Sequence, residues 1–447
     1  MLGEARIREL ADVALAASTA DETEVVFMAQ DSALTRFANS AIHQNVAERN
    51  TSLTVRVVKD RRVGVASTND LGRSAIEDAV AQAERFAEFQ PEIPDWTSLP
   101  GPASFEPVDA FHTPTVGFTP EQRAEVVEVV CRQAQEKGVN ASGAFETAGH
   151  ELAVANSLGV WAYGRRSQAD YISVIMSDSG AGYAAWAGTD ASRIDPEALA
   201  DEAIDKALRS RQPRDIEPGE YTVILESYAV ATMISWLAYM GLSAQALLEE
   251  RSFMTDRIGE QIADERISIW DDGHDPSGLP LAFDFEGVPK QRVELIKNGV
   301  ANAVVWDTRT AARAGNGRQS TGHALPAPST YGPMPLNLFM AAGDATYDDM
   351  LAQVERGLWV TRLNYVRAVH PKQTIITGMT RDGTFLVQGG EIVGPVKNLR
   401  FTQSILEAFS NLRAVGRETK LVSGFLGAVC TPAALVDGFT FTGVTQF

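Results

Sequence analysis

From Ser227 to Leu248 the sequence runs for 22 residues without a charge, SYAVATMISWLAYMGLSAQALL, immediately after a strand-like run at 221–225. About 20 apolar residues are enough to cross a bilayer, so such a run is a membrane span, a helix sunk in a protein core, or a site helix that has lost its chemistry. Thr232, Ser235, Gly241, Ser243 and Gln245 dilute its hydrophobicity, and no Lys or Arg stands near its start to set a topology. The Pro218–Gly219 turn and the strand after it place the run inside a folded domain. It reads as a helix over 228–248, buried on all sides, and no membrane contact is expected.

The chain before it repeats one order of elements. A helix at 3–18 precedes strand-like ETEVVFMAQ, LTRFANSAIHQNVA, NTSLTVRVVKD and RRVGVASTN, and a helix at 74–88 closes the unit. A helix at 120–137, with Pro120 at its start, then precedes ASGAFETAG, HELAVANS, GVWAYGRRSQ, ADYISVIMSD and GYAAWAG, and a helix at 195–209 closes the second unit. Little residue identity accompanies this repetition, which is the pattern of an old duplication. Between the units, seven prolines in the 32 residues from Phe89 to Pro120 predict an extended surface connector with neither helix nor central strand. A second Pro-rich break, RSRQPRDIEPGE, precedes a region of short strands and Gly turns, with further helices near 346–356 and 403–411. The expected organisation is 1–90 for the first unit, 91–118 for the connector, 119–212 for the second unit and 219–447 for a C-terminal domain. The fold class is α+β, with a mainly antiparallel C-terminal β domain that holds the buried helix.

Charge and cysteine content narrow the function. Against 39 basic residues stand 58 acidic ones, a formal charge of −19, which repels nucleic acid phosphate and anionic lipid. Cys131 and Cys430 are too far apart to form a CxxC pair, and they read as reduced thiols of a cytoplasmic protein. The first 18 residues mix Glu4, Arg6, Arg8, Glu9 and Asp12 among apolar positions, as an amphipathic helix does and a signal peptide does not.

Candidate chemistry is sparse. His150–Glu151 opens like a zinc-peptidase helix, but Val154 and Ala155 stand where a second His would be needed, and the alternation Leu152, Val154 against Ala153, Ala155 is that of a strand. Asp271, Asp272, His274 and Asp275 gather possible ligands in a turn-like context. The Gly-rich AGNGRQSTGHALP at 314–326 has neither a phosphate-loop nor a dinucleotide signature, and it reads as a turn or as a loop that lets backbone approach a peptide or partner. No nucleophile elbow occurs.

Several separated motifs keep a familiar order: TRFANSAIHQN, VRVVKDRRVGVASTN, GRQSTGHALP, GLWVT, FLVQGGEI and VKNLRFTQSILEAFSNLRAVG. In these the chain resembles the TldD/PmbA family, once called modulators of DNA gyrase, from about residue 20 onward. The resemblance implies a family in which the TldD type is a zinc peptidase, with HExxxH on a helix and a later Cys as third ligand, and the TldE/PmbA type is its partner. Together the two types process small modified peptides and unfolded ones. Laid on that pattern, SWLAYM places Ser235 and Met240 where the histidines would be and Trp236 where the glutamate would be. Cys430 falls in the region of the third ligand.

What the resemblance implies is a TldE/PmbA-like subunit without catalytic residues or metal of its own. Zinc would sit on a TldD-type partner, with a peptide as substrate and a homodimer as a further possible assembly. Two other readings stand beside it. One is a stand-alone hydrolase built from Cys430, His323, His370 or the Asp271–Asp275 cluster; the other is a homo-oligomeric peptide-binding protein.

Overall fold

Each N-terminal unit consists of a helix, three strands and a closing helix. The first runs Glu4–Ala17, then strands Glu22–Ala38, Ala41–Lys59 and Arg62–Thr68, then Arg73–Glu88. The second runs Pro120–Glu136, then Asn140–Asn156, Trp161–Met176 and Ala181–Gly188, then Pro196–Arg209. The computed structural model describes residues 1–444, so residues 445–447 of the expected C-terminal domain lie outside the described residues.

The short strands expected from sequence fuse into longer ones. ETEVVFMAQ continues through LTRFA, and the chain reverses at Asn39–Ser40, whose φ values of 52° and 57° are those of a two-residue hairpin turn. HELAVAN, with His150 and Glu151, is indeed strand. The two units share one six-stranded antiparallel sheet, in which the first strand of each meets the other at the centre, Glu24 opposite Asn156 through Phe37 opposite Gly143. The repeat is visible in packing as well. A Cβ at Gly64 would lie 2.0 Å from the Ala83 carbonyl oxygen, and one at Gly182 would lie 2.0 Å from that of Ala203, so in both units the outermost strand needs glycine to touch its closing helix.

Period-2 alternation gives this sheet two different faces. Val25, Phe27 and Ala29 join the core under the helices, whereas Val26 and Met28 point to the opposite face. There they meet Phe105 and Val108 of the connector and Ala282 and Phe283 of the C-terminal domain. Most of the connector lies on the surface as expected, tied down where Glu22 accepts from Ser98 Oγ and Leu99 N, both at 2.8 Å. Against expectation it does include one helical turn, Thr113–Val116, because Pro114 falls in the first turn, where no backbone donor is required.

Among the described residues, eleven strands form the C-terminal sheet. Strand Gly219–Leu225 pairs in parallel with Arg356–His370 and antiparallel with Gly427–Val444, and Leu399–Ser404 and Ile375–Gln388 complete a closed ring. Closure removes free edges within the ring, while among the described residues Glu391–Pro395 and Leu412–Gly424 each pair with one strand only. The charge-free run forms the site helix, Ser227–Gly241, and a separate short helix, Ala244–Leu248. The expected single helix over 228–248 breaks because the main chain at 242–244 leaves to bond with Val305, Val305 N to Leu242 O at 3.1 Å and Ala244 N to Val305 O at 2.9 Å. Ser252 Oγ then bonds the freed Gly241 carbonyl at 2.6 Å. Two other expected helices are shorter than read, Tyr347–Ala352 and Ile405–Ser410. No helix among the described residues is long and apolar enough to cross a membrane.

Two buried charge clusters fasten the sheet to the C-terminal domain. Arg56 reaches Glu24 at 2.7 Å and, across the junction, Glu286 at 3.2 Å. At the start of the site helix, Glu226 accepts from Lys206 Nζ at 2.7 Å and Trp359 Nε1 at 2.6 Å, which fixes where the helix begins.

Candidate functional site

The site helix is not buried on all sides. Val230, Met233, Ile234, Leu237 and Met240 are sealed in the core, but Thr232 and Trp236 are half-buried and Tyr239 is exposed. Spaced four and three residues apart, these three fall on one stripe of the helix. Trp236 packs edge-on against Tyr239, with ring centroids 5.5 Å apart, and tilted against Phe425, at 5.2 Å. Beside them opens a cavity of about 500 Å³, lined by Ser235 and Trp236 together with Asn364, Tyr365, Arg367 and Phe425 among others. Of the three positions singled out by sequence, Ser235 and Trp236 therefore border a cavity, whereas Met240 is core. Among the described residues no His, Cys, Asp or Glu lines that space, and the charge it contains is a cation, Arg367. These residues do not fit a divalent metal, which takes imidazole, thiolate or carboxylate ligands.

The other sequence candidates lie apart from it. Cys430 pairs with Leu421 and Phe339 inside the sheet; burial pushes its thiol up, Thr419 and Ser277 work against that, and Asp275 adds to it. His323 and Asp271 do come together, Nε2 to Oδ1 at 2.8 Å, with both side chains fully buried. Burial and the nearby Lys290 depress the His323 pKa, so the imidazole is neutral, donating from Nε2 and accepting at Nδ1 from Thr321 Oγ1 at 3.0 Å. Burial alone would raise the Asp271 carboxyl, but His323 and Lys290 hold it below its ordinary value. With no solvent access, this pair ties the 321–324 segment to strand Ile269–Asp271 and offers nothing to a substrate. His274 sits 3.9 Å from Asp272 on a turn, and His370 caps the short helix Pro371–Gln373. In the Gly-rich loop, Gly315, Asn316, Gly317 and Gly322 all take positive φ. Among the described residues no three His, Cys, Asp or Glu side chains converge as a metal set.

Sequence reading missed a second cavity, of about 520 Å³, between the sheet and the C-terminal domain. Its floor is a polar row that runs straight across four strands: Asn50 opposite Gln30, Gln30 opposite His150, His150 opposite Arg166. Burial, then Arg166, lowers the His150 pKa to about 4, so it is neutral at physiological pH. The signal was present in the strands, since the same face is apolar farther along at Val26 and Val154, but it appears only once register is known. Ser423 and Gly424, at the end of strand Leu412–Gly424, line both cavities.

Three matches cover most of the chain. Residues 218–443 match the PmbA/TldA metallopeptidase C-terminal domain, 23–87 match domain 1 of that metallopeptidase, and 118–211 match its central domain. A metalloprotease of Methanothermobacter thermautotrophicus is 26% identical over 255 residues, 55% of this chain and 54% of that protein. Metalloprotease PmbA of Escherichia coli O157:H7 is 25% identical over 407 residues, 87% of this chain and 86% of that protein. The crystal structure of TldE from Thermococcus kodakarensis superimposes with a TM-score of 0.89 at 21% identity, covering 98% of this chain and all of that one.

Proposed function

Because the chain belongs to the PmbA/TldD metallopeptidase family, we propose that it is a TldE/PmbA-like, non-catalytic subunit of a TldD-type peptidase that acts on small or unfolded peptides. One observation carries the reading. At the place where the resemblance puts the peptidases' HExxxH motif stand Ser235, Trp236 and Met240, and among the described residues the cavity beside Ser235 and Trp236 has no His, Cys, Asp or Glu. A zinc peptidase needs ligands that leave one position open for water, and a carboxylate to take the water's proton. Neither requirement is met, so zinc and general base belong to the partner.

What this chain keeps is shape. The open stripe of the site helix and the hairpin at Phe425 form a wall against which an extended peptide can lie beside a neighbour's metal. Within the closed ring cavity walls carry this role, and strand Leu412–Gly424, paired with one strand only among the described residues, adds an edge beside both cavities. The likeness to TldE supports the reading, as does a match to PmbA over most of both chains. In this reading the subunit works in the cytoplasm with its partner, without nucleic acid.

Incubated alone with an unfolded polypeptide, the chain should release no products above background. Mixed with a TldD-type protein from the same source, it should form a stable complex that cleaves, and a zinc chelator should stop cleavage. Robust hydrolysis by this chain alone, insensitive to chelator, would refute the proposal and turn attention to Cys430 and His323.

A further inference from the structure

We propose that the cavity between the N-terminal sheet and the C-terminal domain binds the carboxylate of an extended peptide, held by Lys290 and Arg166. This inference rests on the reading of the chain as a peptide-handling subunit, and it adds a subsite that the lost metal motif does not predict.

Lys290 lines the cavity and is 7% exposed, yet among the described residues its ammonium has no hydrogen-bond acceptor and no carboxylate within 4 Å. The ammonium itself is not sealed in protein but reaches the open space of the cavity, where an anion can approach it. Asp271 is near enough to feel its charge but spends its oxygens on His323 Nε2, at 2.8 Å, and Asn337 N, at 2.8 Å. Arg166, on the floor, bonds only neutral acceptors, Gln168 Oε1 at 3.2 Å and the Leu279 carbonyl at 3.4 Å, and its Nε is buried without a partner. Asp170, farther along the same strand, takes its hydrogen bond from Gln168 Nε2 at 2.6 Å and is not within ion-pair distance of Arg166. The one acid among the lining residues, Glu151, directs its carboxylate elsewhere, to Leu2 N, Gly3 N and Tyr163 Oη.

Lys290 and Arg166 thus face one cavity, which Arg165, stacked over Phe111, also borders, in a chain whose formal charge is −19. Asp271 offsets part of the Lys290 charge and Asp170 part of the Arg166 charge, so the cations are only partly balanced, which suits a monoanion better than a phosphate dianion. A planar guanidinium on the sheet and a flexible ammonium on the C-terminal domain each suit a carboxylate oxygen. The rest of the cavity suits peptide. Asn50 and Gln30 supply amide donors and acceptors for a backbone, while Gln168 and Asn337 are taken up within the protein, and about 520 Å³ holds a few residues. Because Ser423 and Gly424 line both cavities, a peptide anchored here by its carboxylate can continue past them toward Trp236.

The carboxylate can come from a chain terminus or from an acidic side chain, and calorimetry on the full chain at pH 7.5 separates the sources. Three N-acetylated peptides serve as probes: Ala-Val-Ala-Val-Ala as the free acid, the same sequence as the C-terminal amide, and an amide ending in Glu. The free acid should bind about tenfold or more tighter than the plain amide, the usual effect of a charge-assisted bond. Lys290→Met and, separately, Arg166→Gln should each bring the acid to the affinity of the amide while leaving the amide within about twofold. If the Glu amide binds like the acid, side chains also enter; if it binds like the plain amide, the site reads the terminus. Equal binding of acid and amide by the unmodified chain, or discrimination that survives both substitutions, would overturn the proposal and leave the peptide-handling role standing. Failure of all three peptides to bind would overturn both.

Discussion

Replacing Arg56 by Met should weaken the junction between the sheet and the C-terminal domain, and should do so far more at pH 8 than at pH 5.5. The guanidinium reaches Glu24, whose side chain is 1% exposed, and Glu286, 8% exposed, at 2.7 and 3.2 Å. At an effective dielectric constant of about 20, such contacts are worth about 6 and 5 kcal/mol before desolvation. Methionine fills much of the same volume but strands both carboxylates, and breaking a buried pair in this way costs about 3–5 kcal/mol. Protonation is the escape route. Burial already pushes the Glu24 pKa up to about 7 despite Arg56, and burial with Glu286 raises Asp284 as well.

The sign of the pH effect follows from linkage. An acid with a raised folded pKa holds a proton that the unfolded chain releases, so its favourable contribution is present at low pH and is lost as pH rises through about 7. Without Arg56 that folded pKa moves higher still. The Arg56→Met variant should therefore melt on the order of 5 °C below the parent at pH 8 and nearly with it at pH 5.5, in thermal unfolding followed by tryptophan fluorescence. A loss that is the same at both pH values would mean that Arg56 acts through packing, and no loss at all would remove it as a clamp.

His150, held neutral with a pKa of about 4, stabilises the fold above its unfolded pKa near 6.5, and that contribution disappears as pH falls from about 6.5 toward 4. His150→Gln should therefore flatten the decline in melting temperature between pH 7 and 5; an unchanged decline would show that His150 is not its source. Trp236→Ala should cost about 1–2 kcal/mol, less than the 3–5 of a fully buried tryptophan, because one side of the ring faces the cavity. It should also weaken association with the TldD-type partner, measured by analytical ultracentrifugation. A core-sized loss of stability with unchanged association would place the ring in the interior instead.

Much of this architecture could be read from local pattern. Alternation in Glu22–Ala38 and Asn140–Asn156 and the prolines of the connector mark the N-terminal units, because each signal is carried by adjacent residues. What escaped depends on contacts far apart in sequence. The uncharged run looks like one helix, since nothing within it announces that Val305 will capture residues 242–244. Its hydrophobicity hides an open stripe, because Trp236 and Tyr239 are apolar whether they face core or cavity. Asp271 and His323 were each visible as candidates, but 52 residues separate them and only the folded chain shows that they satisfy one another out of reach of solvent. The row Asn50, Gln30, His150, Arg166 needs the register of three strand pairs before it is a row at all. Ser235, Trp236 and Met240 could be singled out for the opposite reason: the family resemblance points to a local motif, so its expected place is six consecutive letters, SWLAYM.

The central claim, that this chain contributes walls and not chemistry, is tested most directly by counting zinc. Elemental analysis should be run on the chain purified alone, on a TldD-type partner from the same source, and on their complex. If Ser235, Trp236 and Met240 stand in place of ligands as proposed, and with no convergent donor set among the described residues, the chain alone should carry far less than one zinc. The complex should contain zinc in proportion to the partner only, and peptide cleavage should follow that zinc as it is removed and restored. About one tightly held zinc per copy of this chain in the absence of the partner, lost on mutating Cys430 or His323, would contradict the account.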